Sequence, residues 1–208
     1  MFEKGKLSFW DLGTYLTVGC FASFLAAFYI FYGLSIPFPS EAKNLKDFSV
    51  SLVIIVPVVF LLFGMFIEPI ANWLVKHIEK IRWFKPSEIR NRESLLNTIK
   101  NHLPDDDIDS ANLYRYCKAV VELKFQNSNH HIFLARFGFY RSMSVLLVLI
   151  SIINFFIFKC DAINITINVL LAFFAYQFLK RSQVFKNHME EVVYYNYLAL
   201  KLSKDEQK

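Results

Sequence analysis

Residues 12–40 read LGTYLTVGCFASFLAAFYIFYGLSIPFPS, an uninterrupted run between Asp11 and Glu41 that contains no charged side chain. A bilayer core about 30 Å thick takes about 20 apolar residues of helix, so a run of this length is a membrane-span candidate, densest over Tyr15–Leu34. It is too long for the hydrophobic region of a signal peptide and carries no Ala-x-Ala-like cleavage site, so it is read as a retained span.

Three more runs follow. The second extends from Phe48 to Ile67 and past Glu68 and Pro69 to Val75, with Pro57 in its middle. A proline there removes a backbone donor and predicts a kink that neighbouring helices accommodate. The third, Ser142–Phe158, and the fourth, Ala162–Leu179, are separated only by Lys159, Cys160 and Asp161, which predicts a tight helical hairpin. Both are apolar on every face, unlike a soluble amphipathic pair.

Composition agrees. The chain of 208 residues is 55% hydrophobic, holds 23 phenylalanines against 6 glycines and 6 prolines, and has a mean hydropathy of +0.34. Those values exceed the apolar share of about 45–50% in soluble domains and favour long helices over a barrel. The expected fold class is all-α: an integral membrane protein with four transmembrane helices plus a small cytoplasmic helical bundle. Residues 1–75 hold the N-terminal tip and the first two spans, 76–141 a cytoplasmic helical region, 142–179 the transmembrane hairpin, and 180–208 a cytoplasmic C-terminal helix.

Orientation follows from the basic residues, which concentrate in cytoplasmic loops. Of the 23 Lys and Arg residues, two precede the first span, twelve fall within 76–141 and six lie from Lys180 onward, leaving Lys43, Lys46 and Lys159 opposite. Both termini are therefore placed inside. Phe9, Trp10, Trp73, Trp83, Phe137, Phe139 and Tyr140 stand near the inner boundaries as aromatic anchors, and Lys76, Lys80, Arg82, Lys85, Arg90 and Arg92 follow the second span, where they meet anionic lipid.

The cytoplasmic region carries helical periodicity. Pro86, Ser87 and Glu88 predict a helix start with Ile89, Leu95, Leu96 and Ile99 on one face. The segment LPDDDID (Leu103–Asp109) ends that helix, and Asp109 or Ser110 caps the next, whose apolar face includes Leu113, Tyr116, Cys117, Val120 and Val121. Beyond a polar tip at 126–131, the chain can enter the third span as one helix. The fourth can continue inward through Val184, Val192, Tyr195, Leu198 and Leu202.

Chemistry-bearing motifs are sparse. Glu68 is the one acid inside a span, where a carboxylate is a functional candidate; a role at the interface or in a helix–helix hydrogen bond is preferred to a proton path. Asn154, Asn164, Thr166 and Asn168 are read as packing partners within the hairpin, with a pore lining in an oligomer as the alternative. The five histidines, including the His130–His131 pair, are assigned to solvated surface because no second ligand lies at i+3 or i+4. Asp105–Asp109 lacks the glycine and terminal glutamate of an EF-hand loop. Cys20, Cys117 and Cys160 form no framework. No phosphate loop or nucleophile motif is present. The reading is non-enzymatic, with no catalytic, cofactor-binding or metal residues, no cofactor and no direct nucleic-acid partner.

Three segments, FWDLGTYLTVGC before and into the first span, LARFGFYRSM before the third and KRSQVFKNHMEEVVYYNYLALK after the fourth, resemble small four-span bacterial membrane proteins, some of them antiphage-defence components such as the membrane subunit of the Kiwa system. The resemblance implies a bacterial inner-membrane protein that works with other proteins, and no catalytic residue carries over from it. The resulting expectation is a homo-oligomer that recruits or senses a cytoplasmic protein partner. Arg136, Phe137 and Arg141 are the junction residues, and Tyr194, Tyr195 and Tyr197 form a partner face. A small oligomeric channel is the alternative.

Overall fold

The computed structural model describes residues 9–37, 49–80, 92–101, 110–124, 130–158 and 161–205. Among them every regular element is helical: α1 (Phe9–Phe28), widening into a π-helical turn at Tyr29–Gly33, α2 (Ser49–Ile78), α3 (Arg92–Lys100), α4 (Ser110–Lys124), α5 (His130–Ile157) and α6 (Ala162–Asp205). Four helices, α1 with its π turn, α2, α5 and α6, are long and apolar enough to cross a membrane. The helix start expected at Pro86, the Leu103–Asp109 break, the Asp109 cap and Cys160 lie outside the described residues.

The chain divides into two compact units, Met1–Lys85 with Gly138–Ser182, and Pro86–Phe137 with Gln183–Lys208. Among the described residues near the expected boundaries, Lys76–Lys80, Gly138–Arg141 and Lys180–Ser182 group with the apolar unit. Both α5 and α6 are single helices that pass from one unit into the other. At about 1.5 Å per residue, the 44 residues of α6 extend for about 66 Å, twice what a bilayer core requires.

In the apolar unit α5 is the most enclosed helix and α2 the least. Met143, Leu146, Leu147 and Ile150 of α5 form the core with Val18 and Ala22 of α1, Ile67 of α2 and Ala175 of α6. A second cluster joins Ala71 and Val75 of α2 to Val145 and Leu179. Helix α1 meets α2 through two glycines. A Cβ on Gly19 would stand 1.6 Å from the Phe60 carbonyl oxygen, and one on Gly64 would stand 2.0 Å from that of Tyr15. Small residues that let backbones touch are a recurrent way for apolar helices to associate, since lipid tails offer no hydrophobic drive between them. Beyond this crossing α1 turns toward α5, where Gly33 packs on Ile157. Residues 53–59 of α2 are exposed on every side.

The second unit has its own core. Leu113, Cys117 and Val121, spaced by four on α4, close against Ile99 of α3 and Val193, Tyr194 and Tyr197 of α6. Tyrosine pairs Tyr114–Tyr194 and Tyr116–Tyr197 pack edge to face at 6.0 and 5.9 Å, a favoured aromatic geometry. His130 is a correction: it is buried rather than solvated. Helix α5 begins there, within the expected polar tip, and brings its Nε2 to 3.4 Å from the Tyr114 hydroxyl.

Two outcomes follow. Gly19→Ala forces α1 and α2 apart and is expected to lower stability in detergent by about 1–3 kcal/mol, whereas Gly13→Ala, with nothing within 4 Å of the new methyl, raises it by about 0.5–1 kcal/mol; thermal unfolding distinguishes the two. Burial pushes the Cys117 thiol up to about 11, leaving about 100-fold less thiolate near neutral pH than an ordinary thiol. In a Cys20→Ser, Cys160→Ser background, maleimide labelling is therefore expected to be slow at pH 7, to accelerate toward pH 11, and to become fast at pH 7 once Tyr194→Ala opens the core.

Candidate functional site: a buried charge pair joining three helices

Glu68 stands one turn beyond Gly64 on α2, and that spacing builds the site. Because Gly64 lets the Tyr15 backbone lie against α2, the Tyr15 hydroxyl reaches the Glu68 carboxylate and donates to Oε2 at 2.5 Å. The other oxygen, Oε1, accepts from Arg141 Nη2 of α5 at 3.2 Å. Arg141 Nη1 donates to Oδ1 of Asn72 at 3.1 Å, one further turn along α2, where i and i+4 residues share a face. One carboxylate thus ties α1, α2 and α5 together.

The two charges are unequally covered. The Arg141 side chain is 8% exposed and that of Glu68 35%, so the guanidinium carries most of the desolvation. An arginine stays protonated in proteins, and a buried cation is tolerated only when paired and hydrogen-bonded. Glu68 supplies the charge and Asn72 a second acceptor. The arrangement is an ion pair in which both terminal guanidinium nitrogens of Arg141 have an acceptor on α2. It presents no nucleophile with an adjacent base, and among the described residues no three His, Cys, Asp or Glu side chains stand together as a metal site.

A second polar cluster closes the α5–α6 hairpin. Asn154 Nδ2 donates to Asn164 Oδ1, Asn168 Nδ2 to the Asn164 carbonyl at 3.0 Å, and Ser151 Oγ to Asn168 Oδ1 at 2.9 Å. Asp161 caps α6 by accepting from the Asn164 backbone N–H at 2.7 Å, the expected N-cap geometry. Tyr29 of α1 approaches Asn154 Oδ1 at 3.5 Å. The expected Asn154, Asn164 and Asn168 therefore do come together, while Thr166 bonds back to its own helix at Ala162.

The remaining expected residues scatter. Arg136 is in the second unit with its guanidinium 5.5 Å from the Phe185 ring centre; Phe137, the last residue of that unit's first segment, is partly buried. Arg141 belongs with Glu68 instead. Tyr194 and Tyr197 are a correction, since both are core residues of the second unit and only Tyr195, 59% exposed, is accessible from that set. Helical geometry explains the split: three positions within four residues cannot share one solvent face.

Tyr15 and Asn72 were missed. Asn72 carried a readable signal, lying at i+4 from the one intraspan acid, but Tyr15 resembled any interfacial aromatic. Comparison of the chain with protein-family models, with curated proteins and with solved structures returned no match.

Removing one partner of the pair strands the other charge. With Glu68 part-exposed, Glu68→Ala and Arg141→Ala are each expected to cost about 2–4 kcal/mol, and the double variant less than their sum by about 1–3 kcal/mol. Thermal unfolding in detergent across the four-member cycle measures the coupling; strictly additive losses sink the pairing.

Proposed function

We propose that the protein is a non-enzymatic, multi-pass protein of the bacterial inner membrane, with both termini cytoplasmic, that self-associates and recruits or senses a cytoplasmic protein partner as a membrane component of antiphage defence. The observation that carries this reading is the continuity of α5 and α6: what a partner does to the second unit is transmitted along unbroken helices into the unit where Arg141 is locked to Glu68.

The membrane boundary has independent support. Val75 and Leu179 pack in one cluster, so the next residues, Lys76 and Lys180, mark one level. Just before them stand exposed Trp73 and Tyr176; Lys180 Nζ lies 5.7 Å from the Tyr176 ring centre, and His77 packs on Trp73 at 4.7 Å. Aromatics beside cations suit a headgroup region. Glu68 precedes Lys76 by eight residues, about 12 Å of helix, which supports a position for the charge pair on the apolar side of the proposed boundary, where paired charges mark functional positions. The basic-residue asymmetry favours the cytoplasmic side for the second unit.

Partner recruitment is assigned to the outer face of α6, where His188, Tyr195 and Leu202, spaced by seven, are exposed, Tyr195 and Leu202 supplying apolar contact. The antiphage role rests on the resemblance of the three boundary segments. The channel reading has less support, because the intraspan polar groups bond to one another.

The test is a mild-detergent pull-down of the tagged protein from its host, with mass spectrometry. A cytoplasmic protein at fixed stoichiometry is expected with the wild type. Tyr195→Ala/Leu202→Ala should recover it at least about tenfold less well at equal membrane abundance, as for loss of apolar interface anchors. Co-purification of the protein with itself alone, together with a variant that matches the wild type on phage challenge, overturns the proposal.

A further inference from the structure

The end of α2 presents one basic, outward face. Trp73, Lys76, His77 and Lys80 stand at i, i+3, i+4 and i+7, positions that share a helix side, and all four are exposed. The turn after Ile78 keeps that spacing, since the Glu79 and Lys80 N–H groups donate to the Val75 and His77 carbonyls at 2.8 and 3.3 Å. The opposite side is committed to the interior, where Ala71 and Val75 pack with Val145 and Leu179. Glu79, the one acid between Trp73 and Lys80, is half-buried and adds to the field at Arg141.

Two features fix what this face can hold. Lys76 and Lys80 put two ammonium groups on side chains about 6 Å apart at Cβ, and among the described residues neither has an anionic partner. A phosphodiester supplies that charge. One turn nearer the apolar unit, Trp73 is held as a wall: the His77 ring packs on it at 4.7 Å, and His77 Nδ1 donates to the Trp73 carbonyl at 2.7 Å, which leaves Nε2 uncommitted. The same side continues as Ile70 and Phe66, 46% and 73% exposed. A ligand that covers the whole stripe is therefore anionic at one end and apolar at the other. A soluble anion engages the cations and leaves Trp73, Ile70 and Phe66 bare, whereas a phospholipid covers both parts.

We propose that this face binds one anionic phospholipid, its phosphate between Lys76 and Lys80 and its acyl chains along Trp73, Ile70 and Phe66. The site goes beyond the general attraction of basic residues to anionic lipid, which needs neither the indole nor a fixed stoichiometry. It rests on the membrane part of the proposed function, which the test reads separately.

Resistance of the full chain to alkaline carbonate extraction from native membranes first establishes insertion; extraction defeats the membrane reading itself. The purified, delipidated chain in detergent is then titrated with palmitoyl-oleoyl phosphatidylglycerol and followed by native mass spectrometry, with phosphatidylcholine and glycerol 3-phosphate as comparison ligands. One phosphatidylglycerol per chain is expected to bind at least about tenfold more tightly than either. Lys76→Ala/Lys80→Ala should weaken it about thirtyfold, as for two cations lost from an anionic membrane surface, and Trp73→Ala, which removes no charge, about fivefold. Lys100→Ala/Arg115→Ala, the same charge change in the second unit, should leave it unchanged. An equal loss in that control, or no loss with Trp73→Ala, reduces the attraction to diffuse charge and overturns the proposal. Glycerol 3-phosphate that binds as tightly as the lipid assigns the face to a soluble anion and also overturns it.

Discussion

The structure of the apolar unit turns on keeping one guanidinium charged where almost no water reaches it. Arg141 satisfies this through Glu68 and Asn72 on one helix, and Glu68 in turn engages Tyr15 on another. The attraction is strong because the surroundings are apolar, and for the same reason the loss of any member is costly. Three helices are therefore held in one relative arrangement by groups that have few alternatives.

That lock depends on backbone geometry that contributes no polar atom to it. Gly19 and Gly64 let α1 and α2 touch, and only then does the Tyr15 ring lie within reach of Glu68. The opposite end of α1 is held differently, by Tyr29 beside Asn154 and Gly33 against Ile157. Between these two attachments stand residues 53–59 of α2, all of them exposed. A polar pair at one end and an amide cluster at the other thus orient helices that apolar packing alone would leave free to slide, consistent with polar side chains acting as specific contacts between apolar helices.

The second unit solves a different problem with ordinary soluble-protein means. Its core is a stripe on α4 set against tyrosines of α6, and each tyrosine adds area and an edge-to-face contact. Since α5 and α6 serve both units, one continuous hydrogen-bonded backbone has an apolar surface in one part and an amphipathic surface in the other. The proposed coupling between partner and bilayer follows from that shared backbone.

Much of the fold was legible in the sequence because it depends on local quantities. Uncharged runs such as 12–40 and 142–158 are long enough to make helix the way to satisfy every backbone group, four-residue spacing on Leu113, Cys117 and Val121 marks an inward face, and Asp161 before Ala162 is a cap in any setting. The hairpin asparagines were also legible as a group, since a short turn returns one helix beside the other. What Glu68, Arg141, Tyr194 and His130 do was not. Glu68 and Arg141 are 73 residues apart, and their pairing, like the burial of Tyr194 and His130, depends on which helix faces come together. The sequence by itself determined the helices and their polarity, because hydropathy and backbone hydrogen bonding act along the chain; only the tertiary structure decided the charge lock, because it is made from side chains that meet through space.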